Sequence, residues 1–446
     1  MNFCRNDLPA GFRFGVAGSS YQIEGHGFGN AGSTHWDSFA ATPGNVAHCH
    51  DGRVACDHYH RYAEDLDLAE AAGFDVWRFS TSWARVIPDG RGTVNDEGLD
   101  FYDRLVDQVL SRGMEPWVTL YHWELPSPLA DEGGWTNRNT VHAFAGFAET
   151  IAKRIGDRIT SAAPINEPWC VAWLSHFDGL HAPGMRDIRA AARAMHHVLL
   201  GHGLAIEAMR SLDVSNLGAV VNFEYAEPAD TRPESIEKAK LYDEIYNRWF
   251  LGAMRGQGYP GRALEGLLPH LPVGWERDMG IIAAPVDWIG INYYTRKLIA
   301  PQEGAEANHF PGYREIPGPL AKTEMDWEIY PEGLLRFLRR VHSEYAQGLP
   351  IHVTESGMAA PDAVRPDGRI TDLDRCAFLD AHIGQVLTAV AEGINVGAYI
   401  VWSLLDNFEW SLGYDKRFGI VHVDFDTLKR TPKASYFALS DALSKN

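Results

Sequence analysis

No stretch of this chain approaches the roughly 20 consecutive apolar residues that a membrane-spanning helix requires, so no membrane partner is expected. Basic clusters are equally scarce. Forty lysines and arginines stand against 59 aspartates and glutamates, a formal charge of −19, and no run of them forms a stripe able to neutralise a phosphate backbone. Nucleic acid is excluded as an expected partner. The cysteines are few, odd in number and scattered, at Cys4, Cys49, Cys56, Cys170 and Cys376, which does not read as a disulfide framework and suits a reducing compartment. The opening residues MNFCRNDLPAGFRFGVAG hold no apolar stretch of signal-peptide length and no cleavage-like site. The expected location is cytoplasmic.

What the chain does have is apolar material for a large core, 45% hydrophobic against 22% charged residues. Aromatics reach 11%, more than core packing usually asks for, and flat apolar rings are surfaces on which sugar C–H faces stack. A chain of 446 residues can form two or three ordinary domains or one large barrel. The element pattern decides between them. Eight short, nearly continuous apolar runs predict parallel strands buried on both faces, over 13–18, 76–82, 116–122, 160–166, 217–223, 287–293, 350–355 and 397–404. Helical patterns follow each of them, near 57–72, 97–112, 138–155, 188–211, 234–255, 331–347, 372–392 and 433–443. In the second, Leu99, Tyr102, Leu105, Val106, Val109 and Leu110 share a face and Gly113 closes the helix; in the first, Asp57 is the expected N-cap and Gly73 the stop. Strict alternation predicts an α/β fold, one (β/α)₈ TIM barrel domain over residues 1–446, with the long segments 29–56 and 296–326 framing its mouth.

In such a barrel, reacting groups sit at the C-terminal ends of the strands, which form the open crevice. The polar residues follow this rule. Strand one ends in Ser19-Ser20-Tyr21-Gln22, strand two carries Arg78, strand three ends in His122-Trp123 and strand four in Asn166-Glu167. Strand six ends in Asn292-Tyr293-Tyr294, strand seven in Glu355, and strand eight in Trp402, with Glu409-Trp410 beyond. Two carboxylates facing each other across the mouth are what glycosidic cleavage requires: one protonates the departing oxygen while the other attacks or activates water.

The motifs FRFGVAGSSYQIEG, TLYHWELP, PINEP, GINYYT, WEIYPEGL, VTESG, WSLLDNFEW and GYDKRFGIVHVD, in that order, resemble those of glycoside hydrolase family 1 over nearly the whole chain. One departure is Ser356 after Glu355, where the family usually has asparagine. The resemblance implies a retaining β-glycosidase of glucosidase type, acting on terminal β-glucosyl residues of small-molecule glycosides, with Glu355 as nucleophile and Glu167 as acid/base. Arg78 beside Glu355 is expected to favour its ionised form, while burial and nearby negative charge raise the pKa of Glu167. By the same resemblance Asn166 meets the sugar 2-hydroxyl and Tyr294 holds the nucleophile. Gln22, His122, Trp123, Asn292, Glu409, Trp410 and Phe418 bind the terminal sugar over a floor of Trp402, and Trp169, Leu174, His181 and Trp327 line the outer, aglycone part of the cleft.

No cofactor is expected, since two carboxyl groups suffice. The cluster His48-Cys49-His50-Asp51 with Cys56, Asp57, His58 and His60 invites comparison with a metal site, but its spacing fits no tetrahedral zinc pattern and no metal is expected. A Schiff-base aldolase needs a lysine at a strand end, and none of the eight predicted ends supplies one. A 6-phospho-β-glycosidase, a β-galactosidase or β-fucosidase, and a silent carbohydrate-binding barrel are the remaining alternatives. The oligomeric state is not read from the sequence.

Overall fold

Nearly every strand expected from an apolar run forms within one or two residues of its expected start. The computed structural model describes residues 1–304 and 309–444. The strands are β1 (Arg13–Ala17), β2 (Val76–Ser80), β3 (Glu115–Tyr121), β4 (Ser161–Ile165), β5 (Gly218–Pro228), β6 (Trp288–Pro301), β7 (Tyr313–Ile316), β8 (Ile351–Ser356), β9 (Val396–Val401), β10 (Val421–Asp424) and β11 (Lys429–Pro432). Eight of them run parallel in the order β4-β3-β2-β1-β9-β8-β6-β5. The two ends of that order meet through parallel bridges from Ala162 to Leu217 and from Asn166 to Val220, so the sheet closes into a barrel. Helices His58–Ala71, Asp96–Ser111, Arg138–Ile155, Ile188–Arg210, Pro233–Asp243, Pro331–Val341, Leu373–Ala391 and Ala434–Ser444 complete the (β/α)₈ pattern.

Closure forces side chains of opposite strands into one small interior, and the large ones take the lower layer. Trp117 of β3 meets Trp288 of β6 with ring centroids 5.8 Å apart, and His352 of β8 lies 5.0 and 5.2 Å from the two indoles. Room for them comes from glycine: a Cβ on Gly218 would stand 2.1 Å from the Trp288 ring. The barrel floor is thereby plugged, and only the upper end is open.

Several expectations need correction. Asp57 makes no cap bond; its backbone is left-handed (φ 53°) and its carboxylate instead meets His60 Nδ1 at 2.6 Å. Gly73 and Gly113 do sit at the helix ends with φ of 82° and 72°, conformations that favour glycine. Leu110 is 40% exposed, and Phe101, fully buried, packs in the core of that helix instead. The helix expected near 234–255 is interrupted by a π-turn at Glu244–Arg248, and the one near 331–347 ends in a π-turn at His342–Ala346. Segment 296–326 is not simply a loop: β6 runs on to Pro301 and pairs antiparallel with β7, a ribbon standing above the barrel, while residues 305–308 of that segment lie outside the described residues. Segment 29–56 carries the helix His35–Ala41, whose Trp36 lies 4.7 Å from Trp410 and so does frame the mouth.

The hairpin β10–β11 delivers Lys433 into the interior. Fully buried, its ammonium sits between Asp362 Oδ2 (2.5 Å) and Asp406 Oδ1 (2.6 Å). Asp362 also takes Arg375 (2.8 Å), and Asp406 takes Arg417 (2.8 Å) and the Gly419 N–H (3.0 Å). The network ties the segment after β8 to the one after β9, which carries Glu409 and Trp410. Replacing Lys433 by Met leaves two buried carboxylates facing each other without their shared cation. The expected loss is about 3–5 kcal/mol of unfolding free energy, read as a lower urea midpoint at unchanged slope; an unchanged midpoint would mean the network contributes nothing to stability.

Candidate active site

At the upper rim the chain turns sharply, and three expected site residues occupy left-handed backbone: Trp123 (φ 81°), Glu167 (φ 50°) and Trp410 (φ 50°). Such conformations are costly for residues with a Cβ and persist only where surrounding bonds hold them. For Glu167 the bonds are visible. Its N–H donates to Val220 O (3.2 Å) across the barrel seam, and its own C=O accepts from Cys170 N (3.0 Å), opening a π-turn over Cys170–Leu174.

Strands β2, β6 and β8 and the end of β4 then bring seven side chains into one bonded set. Arg78 donates through Nη1 to Glu355 Oε1 (2.5 Å) and through Nη2 to Asn166 Oδ1 (2.8 Å). Tyr294 Oη donates to the other Glu355 oxygen, Oε2 (2.7 Å). Asn292 Nδ2 donates to Glu167 Oε1 (2.6 Å) and reaches Asn166 Oδ1 (3.1 Å), while its own Oδ1 accepts from Thr354 (2.6 Å). Both carboxyl groups are buried, with Glu167 4% and Glu355 3% exposed.

Their surroundings are unlike. Glu355 has a guanidinium and a phenol; Glu167 has an amide and, at Oε2, the Cys170 thiol at 3.2 Å. Burial, and then the charge of Glu355, push the Glu167 carboxyl up to about 8. At neutral pH Glu167 therefore holds a proton, whereas Glu355 is bonded to a guanidinium and a phenol.

A cavity of about 460 Å³ opens above this pair. His122, Trp123, Trp402, Glu409, Trp410 and Phe418 line its inner part. His122 stacks between Trp402 and Trp410, with centroids at 5.5 and 6.1 Å, and burial followed by the neighbouring Arg78 keeps its imidazole neutral. Its Nε2 faces Asn166 Nδ2 (3.3 Å), which places the ring proton on Nδ1. Glu409 makes no side-chain hydrogen bond among the described residues, and burial together with Glu355 and Glu167 pushes it up to about 8. Trp169, Leu174, His181 and Trp327 line the outer part.

Four expected residues stand behind the wall rather than on it. Arg78, Asn166 and Asn292 act through the bonds above. Gln22 is fully buried, accepting from Ser19 Oγ (2.6 Å) and donating to Asn407 Oδ1 (3.0 Å) and Phe408 O (2.8 Å), so it holds the loop that carries Glu409. The Trp123 indole N–H is likewise taken, by Asn166 O at 3.0 Å.

Other wall residues were not foreseen. Asn222 and Glu224 follow from the strand-end rule applied to β5, and Cys170 follows Glu167 within one turn; Tyr242 and Tyr246 come from a helix and carried no signal. Lys297 corrects the expectation that no strand end offers a lysine, because β6 is longer than its apolar run. It is no Schiff-base nucleophile. Burial lowers its pKa, but Glu224 and Glu315 outweigh burial and hold the ammonium protonated. The histidine-rich segment is dispersed: His48 pairs with Asp415 (3.1 Å), His50 accepts from Tyr414 N (3.1 Å) and His58 pairs with Asp65 (2.7 Å). No metal-holding group of three or more His, Cys, Asp or Glu side chains occurs among the described residues.

A model of glycosyl hydrolase family 1 matches residues 4–446. The chain is 43% identical to beta-glucosidase A of Thermotoga maritima, over 98% of both chains. It is 41% identical to the 1,4-beta-D-glucan glucohydrolase of Thermotoga neapolitana, again over 98% of both. A family 1 β-glucosidase from Thermotoga maritima in complex with isofagomine lactam superposes with a TM-score of 0.93 at 42% identity, covering 97% of this chain and 98% of that one.

Because Glu355 contributes to the raised pKa of Glu167, neutralising it as Glu355→Gln should bring the Glu167 titration down from about 8. Carboxyl-selective ¹³C NMR of the parent and variant reads this directly. An unmoved titration would show that burial acts alone.

Proposed function

The chain belongs to glycosyl hydrolase family 1 and is a β-glucosidase, and from that premise we propose that Glu355 serves as its nucleophile and Glu167 as acid and then base. One observation carries the assignment: of two carboxyl groups on one cavity, the first is bonded to Arg78 and Tyr294, and the second is bonded to no cation among the described residues and holds its proton to about pH 8.

In the first displacement Glu355 attacks the anomeric carbon as Glu167 gives its proton to the departing glycosidic oxygen, leaving a covalent glucosyl-enzyme. Arg78 and Tyr294 hold the attacking carboxylate so that little reorganisation remains at the moment of reaction. Glu167, now an anion, takes a proton from water, which attacks the anomeric carbon and frees Glu355. Asn166, held behind the wall between Arg78 and Asn292, is the group we assign to the 2-hydroxyl through its Nδ2 beside His122, where bonding strengthens as the sugar approaches an oxocarbenium geometry. His122, Glu409 and Trp410 serve the remaining hydroxyls, Trp402 is the stacking floor, and Phe418 and Trp327 close the side beside Tyr294.

Unphosphorylated glucosides are the substrates in this reading. The only cation among the described residues lining the cavity is Lys297, in its outer part, so a sugar phosphate at the inner end would meet carboxyl groups and no ammonium or guanidinium. A second sugar in the outer part, between Trp169, Leu174, His181 and Trp327, makes cello-oligosaccharides fit as substrates and supports transglycosylation. We place this role in cellulose breakdown, within the cytoplasm, carried out by one barrel domain.

Glu355→Gly should lower turnover of an aryl β-glucoside by roughly 10⁴-fold or more. Azide should restore part of it, giving α-glucosyl azide identified by NMR; near-normal hydrolysis without azide would remove Glu355 from the role. The second test is pH. A raised carboxyl is active in its protonated form, so kcat/KM should hold up to about pH 8 and fall above it as Glu167 loses its proton. Glu167→Gln should abolish that basic limb, and persistence of the limb would assign it to another group.

A further inference from the structure

The outer half of the cleft is lined by charge that the hydrolysis of a neutral glucoside does not use. Lys297 Nζ lies 2.7 Å from Glu315 Oε2 and 3.9 Å from Glu224 Oε1, and Tyr242 Oη donates to Glu224 Oε2. Asp178, on the same wall, accepts no hydrogen bond at its carboxylate among the described residues. Three carboxyl groups thus surround one ammonium, and Lys297 is already engaged by two of them. The crowding registers on Asp178: burial, then Glu315 and Glu224, push its carboxyl up to about 7.

Two features independent of the carboxylates point to a ligand that brings hydrogen-bond donors and positive charge. Asn222 is 4% exposed and lines the cavity. Its Nδ2 donates to Tyr246 Oη (2.7 Å), while its Oδ1, itself buried, has no partner among the described residues and is left for a donor entering the cleft. The wall beside it is aromatic. Trp169 packs on Tyr246 with centroids 4.2 Å apart, and Tyr246 stacks on Tyr242 at 5.5 Å and 14°. Electron-rich ring faces beside carboxylates are the surroundings in which an ammonium is held best.

We propose that this outer region is a cation-selective aglycone subsite, in which Asp178, Glu224 and Glu315 with the Trp169–Tyr246–Tyr242 wall favour β-glucosides whose leaving group carries an ammonium. The inference rests on the β-glucosidase reading above and adds the class of leaving group to it.

The test uses three aryl β-glucosides of nearly equal phenol acidity: 4-(2-aminoethyl)phenyl, 4-(2-carboxyethyl)phenyl and 4-ethylphenyl. At low salt and neutral pH the ammonium substrate should exceed the carboxylate one in kcat/KM by on the order of 10-fold or more, with the neutral substrate between them. Asp178→Asn and Glu315→Gln, both isosteric, should each shrink that ratio, and Lys297→Met should widen it. A folding defect moves all three substrates together and leaves the ratio alone. A ratio near one in the parent, or one unchanged in all three variants and so owed to the overall charge of −19, overturns the subsite. If the parent fails to cleave even the neutral glucoside, the β-glucosidase reading falls and the subsite with it; cleavage with a flat ratio defeats the subsite alone.

Discussion

One guanidinium organises the reacting end of this molecule. Arg78 projects from β2 into a barrel interior where Glu167, Glu355 and Glu409 all lie buried or nearly so, and its two terminal nitrogens reach β8 at Glu355 and β4 at Asn166. Burying an unpaired carboxylate is expensive, and burying several close together is more so. Arg78 offsets that cost for Glu355 and, being only one cation, leaves it standing for the others. The asymmetry of the site, with one compensated carboxyl and two pushed up to about 8, follows from that shortage.

The rest of the rim serves this arrangement at second hand. Asn166 and Asn292 turn the fixed position of Arg78 into a fixed position for Glu167, and Gln22 secures the loop of Glu409 from behind. Lys433 does the same at longer range, since Asp406 lies only three residues before Glu409. Buried polar groups of this kind are useful only as complete sets, because a half-satisfied network is costlier than an apolar one. Toward solvent the logic changes. The outer wall repeats the excess of carboxyl over cation around Lys297 but is built from the upper extensions of β5 and β6, from β7 and from the segment after Glu167, which lie above the part of the sheet that closes the barrel.

Legibility along the chain tracked how local each feature is. Barrel strands were readable because burial on both faces writes a nearly continuous apolar run, as in Val396–Val401. The extension of β6 to Pro301 was not, since residues 294–299 (YTRKLI) are largely polar and mostly half-buried, and their partner β7 is too short and polar to announce itself. Asp57 has a residue type suited to capping, yet a nearby histidine outcompetes the helix end for its carboxylate. Leu110 fits the helical period of its neighbours but lies on a face that no other element covers.

By itself the sequence determined the kind of fold, the two glutamates and the strand ends that hold them, because periodicity and residue type are local and survive in one dimension. Tertiary structure alone decided which of those residues face the cavity and which support it. Gln22, Asn166 and Asn292 read as sugar-facing residues in the chain and stand behind the wall in space, their hydrogen-bonding capacity largely used by partners far away in sequence. It also decided the protonation of Glu167 and Glu409 and the charge of the outer cleft. Those depend on burial and on distances between groups from different strands, and such quantities come into being only when the barrel closes.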